Sequence, residues 1–291
     1  MIKKLAEYNA LLEERINQVL PDQEYPYNKV LKAARYSLML GGKRIRPAIM
    51  FEFCKLCGGK PKDALDFAVA LEMIHTYSLI HDDLPCMDND DMRRGKPSCH
   101  KVFGEDIALL AGDTLLTEAF RIAAYTELKP EITTKAIGYL SSCAGLHGMI
   151  GGQVLDLSFE ENTPNEFELI DMYSRKTSNL LIAAAVLGCF AAGKTDEETI
   201  RNAADYARDL GIAFQIIDDI LDVTSTTEEL GKPIGSDNKN GKTTFVSIHG
   251  VEGAYKRAKY FTETAINSLN KFDGDKTAVL GLTSFLLNRN K

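Results

Sequence analysis

Apolar residues recur at three- and four-residue spacing along most of the chain. That period predicts helices near 3–19, 28–39, 47–57, 62–81, 105–125, 131–149, 166–173, 177–192, 196–222 and 252–270. Alternation over strand lengths is scarce. Breakers fall between the helical runs: Pro21 and Pro26, the Gly58-Gly59-Lys60-Pro61 turn, Pro130, Pro164 and the Gly/Asn-rich stretch 231–241. No linker separates two composition regimes, and there is no short repeat. The pattern predicts an all-α fold, a single domain over residues 1–291, built as a bundle of about ten or more helices around a central apolar cavity.

Composition narrows what such a bundle does. The longest uncharged run, Leu180 to Gly193, has 14 residues, short of the roughly 20 that span a bilayer, so it predicts a helix buried on all sides. The N-terminus MIKKLAEYNALLEERINQVL carries acids as well as lysines and lacks the apolar core and cleavage site of a signal peptide. A soluble, cytoplasmic protein without a membrane span is expected. The net charge of −7 argues against a nucleic-acid partner, which needs a basic face. Six cysteines occur, with one Cys54-x-x-Cys57 pair. No second pair follows at zinc-site spacing, so ordinary core thiols are expected.

The chemistry concentrates in two places. In SLIHDDLPCMDNDDMRRGKPSCH (78–100), five aspartates lie between Asp82 and Asp91, and Arg93, Arg94 and Lys96 follow. Asp82 and Asp88 are six apart, about 240° round an unbroken helix, but Pro85 should break that helix and let Asp82, Asp83 and Asp88 converge. The run QIIDDILDVT echoes this 136 positions later. There Asp218 and Asp222, four apart, share a face with Gln215, while Asp219 sits about 100° round. A solvated acidic stripe is the plain alternative. Apolar flanks (Phe214, Ile216, Ile217, Ile220, Leu221, Val223) and the unfavourable helix dipole at a C-terminus favour a bound cation instead. Oxygen-only ligands with no adjacent histidine pair suit Mg2+, which shares its shell with phosphates.

Basic residues complete an anion-binding pattern. GGKRIRP (41–47) sets Lys43, Arg44 and Arg46 beside a proline in a first-turn position. SRKTSN (174–179) sets Arg175, Lys176 and Thr177 before the apolar helix, and GKPIGSDNKNGKT (231–243) reads as a mobile lid carrying Lys232 and Lys242. It contains no GxxxxGK[ST] phosphate loop.

In this order, GGKRIRP, EMIHTYSLIHDDLPCMDNDDMRRGKPSCH, GGQVLDL (151–157), RKTSNLL (175–181) and FQIIDDILD (214–222) resemble the trans-isoprenyl diphosphate synthase family, most closely its bacterial-type farnesyl diphosphate synthases. The resemblance covers nearly the whole chain. It implies the isoprenoid synthase fold, a homodimer, isopentenyl diphosphate and allylic diphosphate as substrates, and three Mg2+ ions, with Mn2+ able to substitute. Asp82, Asp83 and Asp88 would bind two of the ions, and Asp218, with Asp219 and Asp222 nearby, a third. Arg93, Lys176, Thr177, Gln215 and Lys232 would contact the allylic substrate. Gly42, Lys43, Arg46, His75 and Arg94 would hold isopentenyl diphosphate. Without the resemblance, His75 reads as a core histidine. Asn89 stands where many relatives have aspartate, and SFLLNRNK matches the family's basic tail only loosely, which leaves a role for Arg289 open.

The implied reaction is head-to-tail condensation of dimethylallyl or geranyl diphosphate with isopentenyl diphosphate. Magnesium and basic side chains take up charge on the departing diphosphate, and an apolar cavity with a closing lid keeps the cation from water. Tyr77 lies five residues before Asp82, about 7.5 Å along a helix rising 1.5 Å per residue. A core tyrosine is the bland alternative, but in the family an aromatic here goes with a fifteen-carbon product, and the small Ser78 adds no second block. Farnesyl diphosphate is therefore expected as the main product, with geranylgeranyl diphosphate as the runner-up.

Three rivals fit less well. A terpene cyclase would carry a mixed Asn/Ser/Glu second motif where DDILD stands. A catalytically silent partner subunit would have lost one acidic motif. A metal phosphohydrolase built on His81-Asp82-Asp83 would need further histidines in HD or HxxxH spacing, and none occurs.

Overall fold

The computed structural model describes residues 1–224 and 242–287. Helices make up most of it: α1 (Ile2–Val19), α2 (Asn28–Leu38), α3 (Ile45–Leu56), α4 (Leu65–Asp82), α5 (Cys99–Phe103), α6 (Glu105–Ala124), α7 (Pro130–Ala144), α8 (Met149–Ser158), α9 (Glu166–Tyr173), α10 (Asn179–Ala191), α11 (Glu197–Thr224), α12 (Phe245–Leu269) and α13 (Thr277–Leu287). The strands among the described residues are a two-residue hairpin, β1 (Met92–Arg93) with β2 (Lys96–Pro97), paired Met92 to Pro97 and Arg93 to Lys96. The all-α expectation holds.

The core follows from how apolar each helix is. α4 and α10 are apolar nearly all round and buried along most of their length. α10 packs on α3, α4, α7 and α11, and α4 packs on α6. α1, by contrast, buries only Leu5, Tyr8, Leu12 and Ile16, one stripe at helical spacing. A second cluster of buried side chains joins α9, α11 and α12 through Tyr173, Ile216, Ile220 and Phe245. The 14-residue uncharged run is buried in α10 as expected. Among the described residues no helix is long and apolar enough to cross a membrane.

Boundaries differ from the pattern where glycine interrupts it. The run 131–149 is two helices, α7 ending before Gly145 and α8 starting at Met149. Gly151 and Gly152 made α8 unreadable as a helix, because glycine costs about 1 kcal/mol in a helix interior. Packing overrides that cost: a Cβ on Gly152 would overlap the Lys176 backbone, so the glycine lets α8 lie close against residues 174–178. α12 begins at Phe245, capped reciprocally by Thr244 and Ser247, and bends at Gly250 (φ 66). α5 and α13 were not predicted.

Cys54 is buried and donates to the Lys60 carbonyl at 3.2 Å. Cys57 does not face it; its Sγ lies 3.6 Å from Cys189 Sγ, and both are free thiols. Lys232 and most of the lid stretch, together with Arg289, lie outside the described residues.

Candidate active site

α4 ends on Asp82, with Asp83 as its C-cap, ahead of Pro85 as the sequence predicts. The chain then turns back: the Asp88 amide donates to the Asp82 carbonyl at 2.9 Å. Two residues that an unbroken helix would splay apart are thereby brought together. Asp82 lines a cavity of about 510 Å3 between α4, α6, α8 and α10. Burial pushes its carboxyl up to about 6; Lys176 opposes this and Asp88 adds to it.

Asp83 goes elsewhere. It is 2% exposed and accepts from Arg93 Nε at 3.0 Å and from Arg93 Nη2. The same Nη2 also donates to Asp90 Oδ2 at 3.0 Å. Asp83 thus borders a small cleft with Arg93 and Arg94 rather than the cavity of Asp82. The expected three-way convergence is a pair, Asp82 with Asp88, plus an arginine clamp.

The GGKRIRP loop forms the second wall. Gly41 and Gly42 take positive φ (81 and 117), and the Arg94 guanidinium packs on the bare backbone of Gly42 while donating to the Gly41 carbonyl. The φ of 117 at Gly42 favours glycine, and a Cβ there would push the Arg94 guanidinium off this backbone. Arg44, though within the basic run, faces inward. It is 4% exposed and donates to Glu72 Oε1 at 2.5 Å and to the Leu38 carbonyl. Arg46 and His75 line the cavity, and Arg46 Nε is buried without a hydrogen-bond partner among the described residues. Burial, then Arg46 and Arg94, hold the His75 imidazole well below its ordinary range. Burial likewise lowers Arg46, against the pull of Glu72. A positive pocket with so few anions is suited to a diphosphate. Lys43 lies 5.5 Å over the Phe285 ring.

A π-turn, Ser174–Ser178, joins α9 to α10 and carries Lys176 and Thr177; such bulges often mark functional sites. Lys176 lines the main cavity and a second one of about 140 Å3. Its Nζ donates to Asp156 Oδ2 at 2.5 Å, and Lys242 Nζ lies 3.6 Å from the same oxygen. Thr177 donates to Gln215 Oε1 at 3.1 Å. Gln215 and Asp219, four apart on α11, both line the second cavity, so Asp219 shares the face of Gln215 instead of standing apart from it. Asp219 accepts from Tyr173 Oη at 2.6 Å and from the Phe245 amide at 3.0 Å, tying α11 to α9 and to the start of α12. Asp222 is 2% exposed and Asp218 half-buried.

Tyr77 and Ser78 line the main cavity with apolar residues that include Leu116, Met149 and Leu180. Ser78 donates back to the His75 carbonyl at 2.9 Å. A larger groove of about 750 Å3 between α11, α12 and α13 is lined by Ile217, Ile220 and Leu221 but by none of the candidate metal- or substrate-binding residues.

Three polar groups escaped the sequence reading. Asp156 holds two lysines, Glu72 anchors Arg44, and Gln153 reaches the cavity with its amide nitrogen unpartnered. Gln153 and Asp156 lie in the GGQVLDL run, which signalled the region but not their contacts. Glu72, buried in an apolar helix, was the readable anomaly: a lone acid in such a run needs a partner.

Among the described residues, no three acidic, histidine or cysteine side chains are gathered as a finished metal site. The donors still fit Mg2+. It keeps several waters and takes one or two carboxylates plus substrate phosphates, and the desolvated Asp82 beside Asp88 is a pair that a hard cation would relieve.

The polyprenyl synthetase family model matches residues 27–282. The large subunit 1 of a heterodimeric geranylgeranyl pyrophosphate synthase, chloroplastic, from Arabidopsis thaliana is 45% identical, over 95% of this chain and 77% of the relative. A geranylgeranyl diphosphate synthase from Cyanophora paradoxa is 42% identical, over 100% and 97%. The crystal structure of an FPP/GFPP synthase from Zymomonas mobilis superposes with a TM-score of 0.89 at 32% identity, covering 98% of each chain.

Proposed function

The chain belongs to the polyprenyl synthetase family, and from that premise we propose that it is a prenyltransferase condensing isopentenyl diphosphate with allylic diphosphates, its main product carrying twenty carbons. The observation that carries this is one apolar cavity with Asp82 and Lys176 at one part of its wall and Arg46 and His75 at another. Two anionic head groups and one apolar tail fit such a site.

Asp82 with Asp88, and Asp218 with Asp222, are the carboxylates that would hold magnesium, while Asp219 is engaged by the Tyr173 hydroxyl and the Phe245 amide. Bound with the allylic diphosphate, magnesium supplies charge neutralisation of the leaving group. The chain's own groups do the rest. Lys176 and Thr177, with Arg93 and Lys232, bind the allylic diphosphate. Lys176 must exchange Asp156 for phosphate as it does so. Gly42, Lys43, Arg46, His75 and Arg94 seat isopentenyl diphosphate, and the buried Arg44–Glu72 pair keeps their loop in shape. Leu116, Met149 and Leu180 exclude water from the allylic cation while the isopentenyl double bond attacks, and the proton that the isopentenyl unit then loses passes to the released diphosphate. No protein nucleophile is required.

Product length is where the sequence expectation and the relatives diverge. The two curated relatives at 42–45% identity are named geranylgeranyl synthases, which favours twenty carbons over the fifteen expected from Tyr77. Fifteen remains the second reading, because Tyr77 is a bulky ring on the cavity wall. Self-association into a homodimer belongs to the proposal, supported by exposed Leu109, Leu110, Leu146 and Val154 on or beside α6 and α8. The Arabidopsis relative is named as a heterodimer subunit, and light scattering on the purified chain distinguishes a homodimer from a monomer.

Radiolabelled isopentenyl diphosphate, supplied with dimethylallyl, geranyl or farnesyl diphosphate in turn, tests the whole reading. Twenty-carbon product from all three primers is expected. Refusal of the farnesyl primer with fifteen carbons accumulating would replace the product assignment. Undiminished condensation in excess chelator would remove magnesium from it.

A further inference from the structure

Tyr77 is held in place by packing alone. It is 5% exposed, and its hydroxyl has no hydrogen-bond partner among the described residues. A buried hydroxyl left unpaired is a cost, not an anchor. One helical turn on, His81 meets the tyrosine edge-to-face, with ring centroids 5.7 Å apart and planes at 78°.

The imidazole is itself fixed from outside α4. His81 Nε2 lies 3.0 Å from the Leu109 carbonyl oxygen on α6, so Nε2 carries the proton and donates. Asp113 Oδ1 is 3.9 Å from the same nitrogen. The ring rests on the bare backbone at Gly112, where a Cβ would overlap it. Both Tyr77 and His81 line the main cavity. The tyrosine leans on the histidine, and the histidine sits in a notch in the next helix.

We infer that His81, seated in the Gly112 notch, is a second determinant of product length, acting through Tyr77. This rests on the reading that Tyr77 bounds the space for the prenyl tail. With the imidazole gone, the phenol ring turns toward α6 and the tail gains room. With the notch filled by a methyl group, the imidazole is driven toward the tyrosine and the room shrinks.

Chromatographic sizing of products from labelled isopentenyl diphosphate and dimethylallyl diphosphate tests this in a set of variants. Tyr77→Phe should leave the distribution unchanged, because the hydroxyl holds nothing. His81→Ala should raise the ratio of product one isoprene unit longer by about tenfold, the scale of losing one ring pair. Gly112→Ala should shift the distribution toward shorter chains. In a Tyr77→Ala background, which itself lengthens the product, adding either change should have no further effect. An unchanged distribution in a folded His81→Ala protein, with Tyr77→Ala lengthened, overturns the role of His81 alone. Further lengthening in the double variant overturns action through Tyr77. If Tyr77→Ala leaves the product as it was, the tyrosine is not the boundary and both ideas fall.

Discussion

At the end of α4 the chain stops on Asp82, breaks ahead of Pro85 and returns so that Asp88 lies over Asp82; at the matching aspartates of α11 the helix continues unbroken to Thr224. The first pair of adjacent acids divides its labour between a cavity (Asp82) and an arginine (Asp83). The second places Asp219 where it joins three helices through the Tyr173 hydroxyl and the Phe245 amide. Identical dipeptides therefore carry different loads. A carboxylate desolvated beside another acid is kept against its own stability, which points to a ligand. A carboxylate that accepts two buried donors contributes to holding the fold.

The largest effect that separates the two ends is on turnover. Asp82→Ala should lower it on the order of 100- to 1000-fold, the scale of removing one preplaced electrostatic contact, while thermal melts fall no lower than those of the parent. A variant that turns over normally would reduce the first cluster to a charged surface. Asp219→Ala should act chiefly on stability. Removing an acceptor from two buried donors costs about 1.5–3 kcal/mol, read from urea melts. An Asp219→Ala protein as stable as the parent but inactive would make the two ends alike after all.

A smaller effect distinguishes the cations proposed to hold the two substrates. Arg94→Ala should raise the Michaelis constant for isopentenyl diphosphate by about 10- to 100-fold, and Lys176→Ala that for the allylic substrate, each through one charge-assisted contact. Steady-state kinetics with each substrate varied in turn would show the reverse selectivity if the pockets are exchanged.

The smallest expected effect is on pH. His75 is held well below its ordinary value in the fold by burial and neighbouring arginines. Below the unfolded value near 6.5 the unfolded chain binds a proton that the folded one refuses, so stability rises with pH up to about that value. Asp82, raised to about 6, works in the opposite sense between the ordinary carboxyl range and 6, because the folded state there binds the extra proton. Melting His75→Gln beside the parent at pH 5.5 and 7.5 isolates the histidine. The variant should lose less stability on acidification, and an equal loss would show that the imidazole takes up its proton in the fold.

Much of this was legible in the chain. The helical period placed ten of the helices, and Pro85 explained how residues six apart could meet. Each of two basic runs contributed one residue to the cavity wall, Arg46 and Lys176, while Arg44 and Arg93 are held by acids outside it. Direction of side chains was less legible. Arg44 and Arg46, two apart in one basic run, point to a buried glutamate and to the cavity respectively. Asp83 and Asp82, adjacent, part in the same way.

The fold class, the break in α4 and the clustering of acidic and basic runs were determined by the sequence itself, because periodicity, proline and charge are local properties of a chain. The tertiary structure alone decided which acid meets which base. Lys176 pairs with Asp156 at 2.5 Å and Arg44 with Glu72 at 2.5 Å, partners 20 and 28 residues apart. It also decided that α8 is a helix despite two glycines, because one of them is the contact surface for the π-turn. Such pairings depend on how rigid helices cross, and a crossing is set by packing between residues that no local pattern connects.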